Sequence, residues 1–135
     1  MSIARIELST SFYLQSAPYT IAKGSREIIW YQKVRNIGTA EGSFTLKALI
    51  TMPDGQVVKP SYGPATYKGT IKRGELPMFG FSIDFEMLRK QGYTNKEFIG
   101  VWKYVITLTP TGDIYCDELE TGRPPQVRTR TITVA

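Results

Sequence analysis

Two strand-like runs joined by a short polar turn constrain this chain more than anything else in it. They are Arg26–Ile37 (REIIWYQKVRNI) and Gly42–Met52 (GSFTLKALITM), separated by Gly38-Thr39-Ala40-Glu41 and followed by Pro53-Asp54-Gly55. In the first run Ile28, Trp30, Gln32 and Val34 alternate with Ile29, Tyr31, Lys33 and Arg35. In the second, Phe44, Leu46, Ala48, Ile50 and Met52 fall on one face, with Thr45, Lys47 and Thr51 opposite. Successive side chains of a strand point to opposite faces, so a period of two marks strands with one buried side. Asp-Gly after an apolar strand is a hairpin signal, here leading into Gln56–Lys59.

The same period recurs along the chain. Ala4, Ile6, Leu8, Thr10, Phe12 and Leu14 alternate with Arg5, Glu7, Ser9, Ser11, Tyr13 and Gln15, which predicts a half-buried first strand. Pro18 and Lys23-Gly24-Ser25 break the pattern, and Pro60–Thr66 is turn-rich. Thr66–Lys72 predicts a short edge strand ended by Arg73-Gly74-Glu75, and Met78–Phe85 a core strand with Phe79, Phe81, Ile83 and Phe85 on one side. Asp84 is placed to cap a short helical turn over Phe85–Gln91, stopped by Gly92. Phe98–Pro110 predicts the longest strand, with Trp102, Tyr104, Ile106 and Leu108 inward. Thr111-Gly112-Asp113 predicts a hairpin into Ile114–Leu119, and Val127–Val134 a last, Thr-rich strand. The sum is an all-β, immunoglobulin-like antiparallel sandwich of about 8–9 strands with one short helical turn. At 135 residues, 1–135 form a single domain, long enough to bury a core without disulfides or metal.

Several motifs sit at the corners of this pattern. Val34-Arg35-Asn36-Ile37-Gly38-Thr39-Ala40-Glu41-Gly42-Ser43-Phe44 is similar to a V-x-N-x-G-x-A-x-x-x-F corner between two core strands. Met52-Pro53-Asp54-Gly55 resembles the hairpin that follows it. Lys72-Arg73-Gly74-Glu75 resembles an x-P-G-E turn with Arg73 in place of Pro, and Gly100-Val101-Trp102-Lys103-Tyr104 a G-x-W-x-Y strand. On these residues the stretch 26–109 resembles the immunoglobulin-like sandwiches of bacterial and archaeal surface proteins, especially the CARDB-type, cell-adhesion-related domains. The resemblance implies the fold; its motifs are turn chemistry and core pattern, which say little about function. The Tyr62–Tyr67 loop and the helical turn at Phe85–Gln91 are departures from a minimal module of that type.

Composition narrows the function classes. The chain has no His and one Cys, Cys116, so His-based nucleophile systems, thiolate zinc sites and an internal disulfide are absent from its repertoire. No glycine pattern makes a phosphate loop; Lys23-Gly24-Ser25 reads as a turn. No cofactor, no metal and no enzymatic activity are expected. Asp113, Asp117, Glu118 and Glu120 form an acidic cluster. Its composition admits a calcium loop or a carboxylate pair, but solvated residues blunting an exposed strand edge are the plainer reading. Arg123, Arg128 and Arg130 could hold an anion or pair with those acids, and pairing is favoured. The net charge of +5 is spread along the chain with no basic run longer than two, at Lys72-Arg73 and Arg89-Lys90, so nucleic acid is not favoured as a partner.

The N-terminus carries Arg5 and Glu7 where an export signal needs an unbroken apolar stretch, and no run approaches membrane-spanning length. Either the protein stays in the cell that makes it, or its signal is missing from this chain. The expectation is a non-enzymatic structural protein, a self-assembling or docking virion component (capsid decoration, turret or tail protein) assembled in the host cytoplasm. Its partner would be itself, as a homo-oligomer, or a capsid or tail protein. The alternative is a secreted adhesion, pilus or carbohydrate-binding module at a cell surface. Candidate interaction residues are Ile6, Leu8 and Phe12 on the first strand, Tyr62 and Tyr67 in the loop, and Arg128 and Arg130 on the last strand. The first or last strand would add to a neighbour's sheet edge, and the two tyrosines either make contacts or cover the sandwich rim.

Overall fold

A computed structural model describes residues 5–15, 17–110 and 126–135. Its strands are β1 (Ile6–Gln15), β2 (Glu27–Asn36), β3 (Gly42–Thr51), β4 (Val57–Val58), β5 (Thr66–Ile71), β6 (Met78–Asp84), β7 (Gly100–Pro110) and β8 (Gln126–Val134). Two short helices, α1 (Phe85–Lys90) and α2 (Asn95–Phe98), link β6 to β7, and one 3-10 turn covers Ile21–Lys23. The strands form two antiparallel layers: β1-β2-β6, and β4-β3-β7-β8 with β5 also paired to β3. This is the immunoglobulin-like sandwich that the alternation predicts. The expected strand Ile114–Leu119, its hairpin, Cys116, Arg123 and the acidic cluster lie outside the described residues, as does Ala4.

The core is the apolar side of each alternating run. Trp30 and Trp102 are both fully buried, with Phe44, Leu46, Ile50, Phe81, Ile83, Tyr104, Ile106 and Leu108 around them. Trp30 sits with its ring centroid 3.8 Å from that of Tyr104 and 5.5 Å from that of Phe81, so it bridges the two layers. Large rings at the centre bury the most apolar area per residue, the dominant favourable term in a domain of this size.

One end of the sandwich is closed by the helical link. Asp84 caps α1, its Oδ1 accepting from the amides of Glu86 (2.8 Å) and Met87 (3.3 Å), as the sequence predicts. Among the described residues there are three short helical segments where one was expected. The second helix starts at Thr94, whose amide donates to Glu97 Oε1 at 3.0 Å, the reciprocal pairing that a T-x-x-E sequence allows. The two helices bury Phe85, Leu88 and Phe98, and Phe98 accepts a 2.8 Å hydrogen bond at its carbonyl from the Trp102 indole.

The alternation predicted for β1 holds at Ile6–Leu8 and again at Phe12–Gln15, on either side of an irregularity that the pattern did not reveal, where Ser9, expected outward, is buried. Leu8 pairs with Val34 but Phe12 pairs with Gln32, so β1 holds two more residues than β2 over the same span. An even insertion leaves side chains on their original sides, whereas a single-residue slip would have inverted them. Phe12 and Leu14 therefore stay on the core side, half-buried.

Candidate interaction surface

Strand edges are the first place to look for docking, because their outward backbone groups can pair with another chain. In the three-stranded sheet each edge strand has several of its outward groups engaged within the chain. At β1, Gln126 of β8 plays the part of a neighbouring strand: its Oε1 accepts from the Leu8 amide at 2.8 Å and its Nε2 donates to the Ile6 carbonyl at 3.1 Å. Arg128 donates to the Ser9 carbonyl within the irregular segment, and Gln32 Nε2 donates to the same carbonyl at 2.9 Å. At β6, the Gly80 carbonyl accepts from the Tyr67 hydroxyl (2.9 Å) and the Ser82 carbonyl from the Ser61 amide (2.8 Å). The Asp84 amide donates to Ser61 Oγ at 2.7 Å. In the other sheet, Tyr19 bridges Val134 in parallel, with Ile21 N donating to the Ala135 carbonyl and Ala135 N to the Tyr19 carbonyl. Strand addition at β1 would first have to displace Gln126 and Arg128.

The outer face of the three-stranded sheet has a different character. Cross-strand registers give rows of Gln15–Ile29–Ser82 and Tyr13–Tyr31–Gly80, with Lys33 beside Met78 and Glu27 beside Asp84. Tyr13 is 58% exposed and Met78 52%, large values for a sheet face. The Tyr13 and Tyr31 rings stack 6.0 Å apart at 24°. Gly80 makes this possible, because a Cβ there would lie 2.9 Å from the Tyr31 ring. Tyr31 therefore lies across the glycine instead of standing off the sheet. It divides two shallow grooves, one of about 300 Å³ with Phe12, Tyr13, Lys33 and Met78, the other of about 340 Å³ with Glu27, Ile29, Tyr62, Tyr67 and Ser82.

The rim of the second groove is held by a buried carboxylate. The Tyr62 hydroxyl donates to Asp84 Oδ2 at 2.6 Å. Burial alone would push the Asp84 pKa up, but the Tyr62 hydroxyl, the amides of Met87 and Glu86 and the charge of Arg26 outweigh it and hold the carboxyl below its ordinary value. The hydrogen bond to Asp84, then desolvation, pushes the Tyr62 phenol up. On the other side of the molecule, burial followed by the neighbouring Arg130 charge pulls the Arg128 guanidinium below its usual range.

The candidate residues divide accordingly. Ile6 and Leu8 are each 4% exposed and belong to the core, because β1 turns its apolar side to the second sheet, so they offer no surface to a partner. Phe12 is half-buried, with the Arg130 guanidinium 5.3 Å above its ring centroid. Arg128 serves the β1 backbone, and the acids expected to pair with it and Arg130 lie outside the described residues. Tyr67 is half-buried, its ring edge-on to Phe81 at 5.4 Å, which is the rim-covering role. Tyr62, 53% exposed, does both: its hydroxyl ties the loop down while its ring remains accessible. Tyr13, Tyr31, Gly80 and Met78 were missed as site residues. The signal was there in an outward row containing two tyrosines on adjacent strands, but only the strand register brings them side by side. Among the described residues, no group of three or more His, Cys, Asp or Glu converges as a metal site, and no helix is long and apolar enough to cross a membrane.

No family model matches this chain, and no curated protein does. Solved structures share its architecture. A β-glucosidase from Listeria innocua in complex with glucose superposes with a TM-score of 0.53 at 15% identity, over 97% of this chain and 16% of its own. A putative β-galactosidase from Bacteroides fragilis gives 0.54 at 14% identity, over 92% and 17%. β-Glucuronidase 2 of Bacteroides uniformis gives 0.50 at 15%, over 93% and 13%. At such identities the likeness is one of fold. The chain spans less than a fifth of each of those enzymes.

Proposed function

We propose that this chain is a non-enzymatic structural module that works by protein–protein association: a self-assembling or docking component of a virion, such as a capsid decoration, turret or tail protein, assembled in the host cytoplasm. One contrast carries the reading. Both edge strands of the three-stranded sheet have outward backbone groups engaged within the chain, while the outer face of that sheet presents Tyr13 and Met78 to solvent beside a half-buried Tyr31. Exposed aromatic and Met side chains gathered on one rigid face are characteristic of interaction surfaces. The buried carboxylate Asp84 supports the non-catalytic part of the reading, since both its oxygens are engaged in capping and in holding Tyr62. Light scattering on the purified chain, with mass spectrometry of particles from its source, tests it. Association or recovery in particles is expected; a strict monomer absent from every particle would remove the reading.

A second reading, a secreted adhesion, pilus or carbohydrate-binding module at a cell surface, draws on the groove beside Tyr31. Its tyrosine rings, with Glu27 and Ser82 at hand, suit the apolar face and hydroxyls of a pyranose. Solved structures of similar fold include a β-glucosidase and a putative β-galactosidase, of which this fold is a small part. Retardation of the chain in polysaccharide gels, lost in Tyr31→Ala, would favour this reading.

A further inference from the structure

We infer that the outer face of the β1-β2-β6 sheet pairs with a second copy of itself about a two-fold axis above Trp30. This inference rests on the self-association reading above and names its surface. The outward row of β2 runs Glu27, Ile29, Tyr31, Lys33 and then Arg35, which pairs with Glu7, so it is acid at one end, basic at the other and apolar between. Glu27 and Lys33 lie equally far along the strand from buried Trp30, about 10 Å each way at the rise of a strand. A two-fold axis lying across the strands reverses the rows and keeps each strand over its own copy. Lys33 then faces the partner's Glu27, and Tyr31 faces the partner's Ile29, each contact made twice, as an isologous interface requires.

The flanking strands follow the same rule without adjustment. Row Tyr13–Tyr31–Gly80 meets the partner's row Gln15–Ile29–Ser82. The large rings thus cover smaller groups, and Gly80, overlaid by the Tyr31 ring, falls opposite a small serine. At β6, Met78 meets the position of the partner's Asp84, which the Tyr62 ring attends through its hydroxyl. That brings an exposed thioether toward an exposed tyrosine, a favourable pairing for both. A parallel stacking of the same faces would instead place Glu27 on Glu27 and Lys33 on Lys33, so charge selects the antiparallel arrangement. The face is three strands wide, so the dimer belongs among small, concentration-dependent interfaces.

Sedimentation equilibrium of the full chain at concentrations up to about 1 mM tests this, with circular dichroism melts as a fold control. The wild type is expected to associate. Lys33→Glu sets two acids against each other at both ends and should weaken the dimer roughly tenfold or more. Glu27→Lys combined with Lys33→Glu reverses both charges, restores complementarity and should return the affinity to near wild type. A double variant as weak as Lys33→Glu overturns the inference. So does a wild type that associates no better than Lys33→Glu while both are dimers, an outcome that leaves self-association standing and moves it to another surface. A wild type monomeric throughout overturns both; if it is also retarded by polysaccharide in a Tyr31-dependent way, the face belongs to a glycan.

Discussion

The Tyr62 hydroxyl donates a 2.6 Å hydrogen bond to Asp84 Oδ2, tying the β4–β5 loop to the residue that caps α1. One carboxylate thus anchors a loop, a helix start and the end of a strand. Its pKa in the folded chain lies below that of an unfolded aspartate, about 3.9. The stabilisation it gives is therefore complete above about pH 4 and is lost as pH falls through the depressed folded value. With no His in the chain, stability should be nearly level between about pH 6 and 8 and decline on the acid side. Removing the Tyr62 hydroxyl in Tyr62→Phe should make that acid arm shallower, and Asp84→Ala should cost about 1–2 kcal/mol at neutral pH through the lost cap. Thermal melts across pH 2–8 check both; a steep change between pH 6 and 8 would contradict the account.

Gly100→Ala should destabilise the fold by more than about 1 kcal/mol, measured by urea unfolding. Gly100 has φ of 135°, outside the range an L side chain adopts readily, and an added Cβ would lie 2.8 Å from Pro53 Cβ. Pro53 lies in the β3–β4 turn, so the clash would separate the start of β7 from the hairpin it packs against. A neutral Gly100→Ala would mean the turn yields freely.

Tyr104→Phe should be neutral or stabilising. Its hydroxyl is fully buried and has no hydrogen-bond partner among the described residues, and burial pushes its phenol pKa well up. Deleting an unsatisfied buried hydroxyl removes a desolvation cost while leaving the ring against Trp30. In the same melts Trp102→Ala should lose about 3–5 kcal/mol, since it empties a fully buried site and frees the Phe98 carbonyl. A destabilised Tyr104→Phe would reveal a partner for the hydroxyl.

Asn36→Ala should cost about 2–4 kcal/mol by denaturant unfolding, several times what an exposed polar residue would cost. Asn36 is buried, and its amide nitrogen donates to the carbonyls of Ala40 (2.8 Å) and Ile71 (2.9 Å). Its Oδ1 accepts from the amides of Gly38 (2.9 Å) and Arg5 (3.3 Å). One side chain thus ties β1, the β2–β3 corner and β5 together. Asn36→Asp should lose nearly as much, because two of the four contacts need a donor.

Asn36 shows where reading the sequence stops. Its place in a corner motif is visible in the residues, but contacts 31 and 35 positions away depend on which strands the fold lays side by side. The strands themselves were legible, because alternation is a local consequence of the pleat: the inward sets of β2, β3 and β7 are the buried sets of the structure. The cap at Asp84 was legible for the same reason, being written within three residues of the helix it starts. The second helix was legible in principle through Thr94 and Glu97, yet at four residues it leaves almost no periodicity to find.

The surface was a different matter. Ile6 and Leu8 read as an apolar stripe free to bind, and the packing of the two sheets turned that stripe into core. Gln126 closes the β1 edge from 118 residues away, and Tyr31 lies flat only because Gly80 is its neighbour on another strand. Period and turn chemistry are local physics, so the sequence alone determined the strands, their inward faces and the sandwich class. Which edges close and which rings share a face are set by cross-strand register and layer packing, and only the tertiary structure decided them.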